Sequence, residues 1–235
     1  MEKREEVLEE NKMGVMPVKR LIVTMAVPMM ISMMVQALYN IVDSIFVARL
    51  SEDALSALTA AYPLQMFMIS VGSGTGVGMN AILSKALGEK NKERVDKSAA
   101  MGIFLTIMSY IAFVFVGIFA ARPFIMSQVY DKATKTYNMA IADLGTTYIK
   151  ICCILSFGIF FQMILERLLQ STGLTIYSMA SQLTGAIVNI ILDPILIFGY
   201  LGAPKLGVAG AAYATVIGQV IAACVGLILN LKVNK

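Results

Sequence analysis

Histidine is absent from the 235 residues, which removes the commonest metal ligand and the commonest general base. Cysteine is scarce, with only Cys152, Cys153 and Cys224, all in apolar stretches. An odd count with an adjacent pair argues against a disulfide framework, and small packing residues are the simpler reading. No CxxC, HExxH, GxSxG or P-loop pattern occurs. Charge is thin too: Asp, Glu, Lys and Arg make up 14%, against about 25% in soluble domains. No basic block interleaved with aromatics is present, which sets nucleic-acid binding aside. The first residues, MEKREEVLEENKMG, are charged and lack the apolar core and small-residue cleavage site of a signal peptide. Residues 1–17 therefore read as a cytoplasmic tail.

What the chain does have is apolar length. Hydrophobic residues make up 58% and the mean hydropathy is +0.76, the composition of an all-α, polytopic membrane protein embedded in a lipid bilayer. The net charge of +4 then bears on orientation and lipid contact. Six spans are expected, at about 18–48, 54–83, 98–121, 141–165, 176–198 and 208–231, with 232–235 polar again. The first is longer than the roughly 20 residues a bilayer requires, so tilt or a kink at Pro28 is expected. Span two contains GSGTGVG at 72–78. This run lacks the Lys-Ser/Thr ending of a phosphate loop and follows no strand pattern, so Gly74 and Gly78 are read as a GxxxG packing pair. The charged stretch KALGEKNKERVDK at 85–97 is expected to be a solvent loop. Glu166 and Arg167, at the end of span four, read as a solvated or interfacial pair.

Six spans place both termini on one side of the membrane. That side receives Lys3, Arg4, Lys12, Lys19, Arg20, Lys85, Lys90, Lys92, Arg94, Lys97, Arg167, Lys232 and Lys235. The other receives Arg49, Arg122, Lys132, Lys135 and Lys205, with Lys150 inside a span. Thirteen against five favours both ends in the cytoplasm.

Polar residues inside the spans are the candidates for function. Gln36, Tyr39, Asn40 and Asp43 fall on one face of the first helix, a stripe suited to a bundle interior or a cavity. Within GAIVNIILDPILIFG, at 185–199, Asn189 and Asp193 lie one turn apart on a common face. A carboxylate at the centre of a membrane helix costs about 2.5–3.5 kcal/mol on insertion scales, tolerable where it meets a cavity, a cation or a partner. Pro194 removes a backbone donor and bares a carbonyl one turn earlier. Acid, amide and carbonyl together offer oxygen ligands to a proton or a hard cation; the alternative is a polar pair that only glues helices together.

With these residues in view the chain resembles the multidrug and toxic compound extrusion (MATE) family. VPMMISMMVQALYNIVDSIFVARL is similar to that family's first helix, with its proline and aspartate. NIILDPILIFG followed by GAPKLGVAGAAYAT is similar to its fifth and sixth helices and the loop between. The resemblance covers nearly all of 16–232. It implies a secondary antiporter of the cell membrane, without an organic cofactor, that exports cationic or amphipathic drugs and toxic compounds in exchange for H⁺ or Na⁺. Asp43, Asn189, Asp193 and Thr215 are the implied coupling residues, with Na⁺ at Asp43, Asn189 and Asp193 if Na⁺ is the ion. Pro28 matches the position where the first helix bends, and Pro194 marks a second bend. Gln36, Tyr39, Asn40, Tyr148 and Gln162 are expected to line the substrate cavity. In this picture Asp43 and Asp193 flank a polar pocket, and protonation or Na⁺ binding relieves their repulsion so that the first helix repacks. The family has two six-helix lobes and this chain supplies one. A truncated frame is expected, the alternative being a half-transporter that pairs with a second copy. Competing functions are a flippase for a lipid-linked sugar, a membrane-embedded enzyme and a non-transporting assembly subunit. The flippase would want more basic residues along its cavity than Lys150, and the enzyme would want catalytic residues beyond two aspartates.

Overall fold

The computed structural model describes residues 16–131 and 136–234; most of the 1–17 tail and part of the loop after span three lie outside them. Helix α1 is Val18–Ala48 and continues through Pro28. Helix α2 is Glu52–Gly88, started by Ser51, whose hydroxyl accepts from the amide of Ala54 at 3.0 Å. Helix α3, Lys92–Phe115, passes through a π-turn at Val116–Ala120 into α4, Ala121–Gln128. A short hairpin, β1 Tyr130–Asp131 with β2 Thr136–Tyr137, pairs antiparallel with Tyr130 opposite Tyr137. Then come α5, Met139–Ile154, α6, Phe157–Ser171, α7, Thr175–Phe198, and α8, Val208–Val233. Among the described residues five helical runs are long and apolar enough to cross a membrane, and the bent pair α5–α6 makes a sixth.

Three sequence expectations are corrected. Residues 85–97 are not a loop: α2 runs to Gly88 and α3 starts at Lys92, leaving a tight turn at 89–91. Asn91 makes the turn sharp, accepting from the Arg94 amide at 3.0 Å. The surrounding charges pair on exposed helix ends, as Arg94–Glu89 at 2.7 Å and Lys97–Glu93 at 2.6 Å, so they decorate helix and do not interrupt it.

Span four is not one helix. It breaks at Leu155 and Ser156, and the two halves differ by 47°. Ser156 and Gly158 supply the weak point, a pairing that commonly kinks helices. At Gly158 a methyl group would lie 3.0 Å from Val220 Cγ2, so the bend lets α6 press against α8.

The third correction concerns glycine. Gly74 and Gly78 have open space around them; Gly72 and Gly76 make the contact. A Cβ on Gly72 would lie 2.7 Å from the sulfur of Met163, and one on Gly76 would lie 2.8 Å from Cγ of Arg167. The spacing of four is right, but the face in use is two residues earlier, about 200° around the helix.

The interior is built by α2, α4, α5, α6, α7 and α8, with Tyr148, Ile149, Ile125, Leu169 and Ile197 buried. Large apolar side chains of α1 and α3, such as Met34, Leu38, Phe104 and Phe115, point outward, as spans facing lipid require. Cys152 and Cys153 are buried packing residues and Cys224 is exposed; all three are free. Gly117 in the π-turn sits against Cys153, whose Cβ would be 2.7 Å from a Cβ at Gly117.

Candidate functional site

Helices α7 and α8 pack more extensively than any other pair. Gly185 and Gly218 let their backbones meet: a Cβ on Gly185 would lie 2.9 Å from the carbonyl oxygen of Gly218. One turn along α7 from this contact the chain places Asn189. Its amide nitrogen donates to Asp193 Oδ1 and to Thr215 Oγ1, each at 3.4 Å, the long end of hydrogen-bond range. Both acceptors are buried, Asp193 completely. Pro194 cannot donate to the carbonyl of Ile190, so that oxygen also lacks its helical partner.

Helix α1 leans on α7, and Gln182 on α7 donates to Gln36 on α1 at 3.1 Å. Asp43, seven residues further along α1 on the same face as Gln36, is buried and within electrostatic reach of Asp193. Asp43 Oδ1, Asn189 Oδ1 and Asp193 Oδ2 are buried without a hydrogen-bond partner. Buried polar atoms are normally satisfied. Three bare oxygens in one neighbourhood, two of them on carboxylates, form a donor set suited to a proton or a hard cation.

Two cavities adjoin this cluster. One, of about 170 Å³, is bounded by Gln36, Tyr39, Gln162, Glu166, Gln182 and Asn189, among others. The second, of about 150 Å³, takes in Asn40, Asp43, Tyr62, Gln65 and Tyr148. Tyr39, Ile69, Ile159, Thr215 and Gln219 line both. The α1 stripe is thus divided: Gln36 faces the first cavity, Asn40 and Asp43 the second, and Tyr39 the wall between. Asp193 lines neither and stands behind Asn189. Pro28 is buried in the first half of α1, away from the acids.

Glu166 is placed differently from the sequence expectation. It is 9% exposed, accepts from Gln162 Nε2 at 2.9 Å, and lines the first cavity. The bend at Leu155 and Ser156 re-aims α6, so a charge that reads as terminal points into the bundle. Gln182 and Gln219 also escaped the sequence reading. Gln182 follows Ser178 at helical spacing, on a face shared with Gly185 and Asn189, and that periodicity was the available signal.

The MatE family profile matches residues 28–195 of the chain. The multidrug export protein MepA of Staphylococcus aureus is 30% identical over 217 residues, covering 92% of this chain and 46% of that protein. The probable multidrug resistance protein YoeA of Bacillus subtilis is 28% identical over 236 residues, covering 100% of this chain and 49% of that one. Among solved structures, a MATE protein in the straight conformation superimposes with a TM-score of 0.80 at 28% identity, covering 92% of this chain and 45% of that one. The outward-facing conformation of a multidrug resistance MATE family transporter of the MOP superfamily gives 0.76 at 31% identity, with 92% and 45% coverage. The chain spans about half the length of the relatives it matches, which corresponds to one lobe of that fold. With its single bundle of membrane-length helices and its acid-bearing α1 and α7, the chain belongs to the MatE family.

Proposed function

We propose that this chain forms one six-helix lobe of a secondary transporter in the cell membrane, exporting amphipathic or cationic compounds in exchange for H⁺ or Na⁺. The observation that carries this reading is the cluster of unpartnered buried oxygens on Asp43, Asn189 and Asp193. A bound proton or Na⁺ supplies the missing partner, with Thr215 and Asn189 as neutral ligands beside the two carboxylates. Occupancy then biases how α1 lies against α7, and α1 carries the walls of both cavities. The relatives named as multidrug export proteins support efflux as the task, and membership of a transporter family supports transport over catalysis.

The cavity chemistry favours a cationic or amphipathic cargo. Met33, Ile69 and Met163 offer apolar surface, the glutamines offer amides, and Asp43 and Glu166 offer negative charge. Arg167 is the one basic residue at these walls among the described residues. A flippase for phosphate-linked lipids would be expected to carry more. Orientation follows from loop charge: the α2–α3 turn and both termini in the cytoplasm. A second lobe, or a second copy of this chain, completes the cavity, because alternating access needs two bundles moving against each other around a midplane site.

The test is cation uptake by residues 1–235 in lipid nanodiscs, read by ²³Na NMR titration and, separately, by proton uptake. Saturable uptake by the unaltered chain, lost in Asp43→Asn and Asp193→Asn, is the expected result. Equal uptake in all three proteins would refute the assignment.

A further inference from the structure

The two cavities share lining residues, and each has one carboxylate on its wall: Asp43 on the second, Glu166 on the first. Glu166 is 9% exposed and stands five residues before the end of α6 at Ser171. One amide donor, from Gln162, reaches it. Its neighbour Arg167 is drawn the other way, donating to Gln170 Oε1 at 2.7 Å, while Gln170 in turn donates to Ser178 at 2.9 Å. Among the described residues no ion pair involves Glu166. A buried carboxylate with one neutral donor and no direct ion pair, and with Arg167 acting on it only through space, leaves much of its charge unanswered.

A second observation lies on the same wall. Asn189, 3% exposed, lines the cavity with Glu166, and its Oδ1 has no partner. Between Asn189 and Glu166 the lining continues in oxygen-bearing side chains. Thr215 and Gln219 line both cavities, and the hydrogen-bonded pair Gln36 and Gln182 lines the first. Asp193 and Gln182 are eleven residues apart on α7, which is about 16 Å of rise. That is roughly half of a 30 Å hydrocarbon core. The other ionisable groups facing this path are Arg167 on α6, Tyr39 on α1, Tyr62 on α2 and Tyr148 on α5; α8 contributes none.

Resting on the reading of Asp43, Asn189 and Asp193 as the coupling site, we propose that Glu166 is a second station for the same cation, at the far end of a polar path through the lobe. An H⁺ or Na⁺ taken up at the acid pair moves past Asn189, Thr215 and Gln219 to the carboxylate of Glu166. It then leaves at the end of the lobe where α6 gives way to α7. In the proton case the carboxylate of Glu166 accepts the proton, becoming a carboxylic acid, and then releases it to water, regenerating the carboxylate.

The experiment uses residues 1–235 in nanodiscs, with Na⁺ and protons as separate probes. Equilibrium uptake is read as above, and release is followed by stopped flow after dilution or a pH jump. Glu166→Gln is expected to retain the saturable uptake at the acid pair, losing only the share held at Glu166, while slowing release at least about tenfold. Glu166→Asp, with its carboxylate set back by one methylene, is expected to release at an intermediate rate. A parental release rate in Glu166→Gln overturns the second station and leaves the acid-pair assignment standing. No saturable uptake by the parent, or undiminished uptake in Asp193→Asn, overturns both. If Glu166→Gln does not fold, Glu166→Asp decides: a parental rate there overturns the proposal.

Discussion

Asn189 on α7 reaches Thr215 on α8 across a helix contact that only glycine permits. A methyl group on Gly218 would lie 2.7 Å from the carbonyl oxygen of Gly185 and 3.2 Å from Cβ of Asn189. Backbone carbonyl cannot retreat as a flexible side chain can, so a larger residue must part the helices.

Gly218→Ala is therefore expected to destabilise the lobe by about 1–3 kcal/mol, the usual cost of overpacking, and to weaken cation uptake by separating Asn189 from Thr215. Thermal unfolding in detergent and the ²³Na titration measure the two effects. An unchanged melting temperature would mean that the helices are not held this closely in the bilayer.

The face of α2 in use is tested by glycine pairs. Gly74→Ala and Gly78→Ala add a methyl group in open space and are expected to be neutral or stabilising by up to about 1 kcal/mol, the helix-propensity gain. Gly72→Leu and Gly76→Leu meet Phe160, Met163 and Arg167 and are expected to lower stability by about 1–3 kcal/mol. A reversal of this order would return the contact to the 74/78 face.

Asp43→Asn and Asp193→Asn are expected to leave membrane insertion intact, since an amide is cheaper than a carboxylate in lipid. Within a complete two-lobe assembly both are expected to abolish ion-coupled export, read as loss of drug resistance. Export at the parental rate under an ion gradient in both variants would remove the acids from the coupling mechanism.

Topology is checked by labelling single cysteines after Cys152, Cys153 and Cys224 are replaced by alanine. A cysteine at Lys90, in the exposed turn between α2 and α3, is expected to be protected from an impermeant reagent in whole cells. One at Tyr137, in the hairpin, is expected to be labelled. The opposite pattern would invert the lobe.

Residues 1–235 expressed alone are expected to insert without conferring export and to dimerise or be degraded. Gln36 and Tyr39 are only half buried and Asn40 is exposed, and polar groups left toward lipid cost on the order of one to a few kcal/mol each. Co-expression of a matching second lobe is expected to restore resistance. A stable monomer that transports unaided would show that one bundle suffices.

Composition alone established that this is a membrane-embedded helical bundle, because apolar runs of spanning length have no other stable environment. Helical periodicity placed Gln36, Tyr39, Asn40 and Asp43 on one face and Asn189 with Asp193 on another, since a spacing of three or four residues determines a shared face. Periodicity is local, however, and says nothing about which face meets which neighbour. Only the packed bundle chose Gly72 and Gly76 over Gly74 and Gly78, a choice made by the bulk of Phe160, Met163 and Arg167 on α6. Only the 47° bend at Leu155 and Ser156 turned Glu166 from an apparent helix-end charge into a cavity wall. The juxtaposition of Asp43 with Asp193, 150 residues apart in sequence, depends on α1 docking against α7. That docking is a tertiary contact, whose geometry follows from side-chain volume and backbone approach and not from the order of residues along either helix.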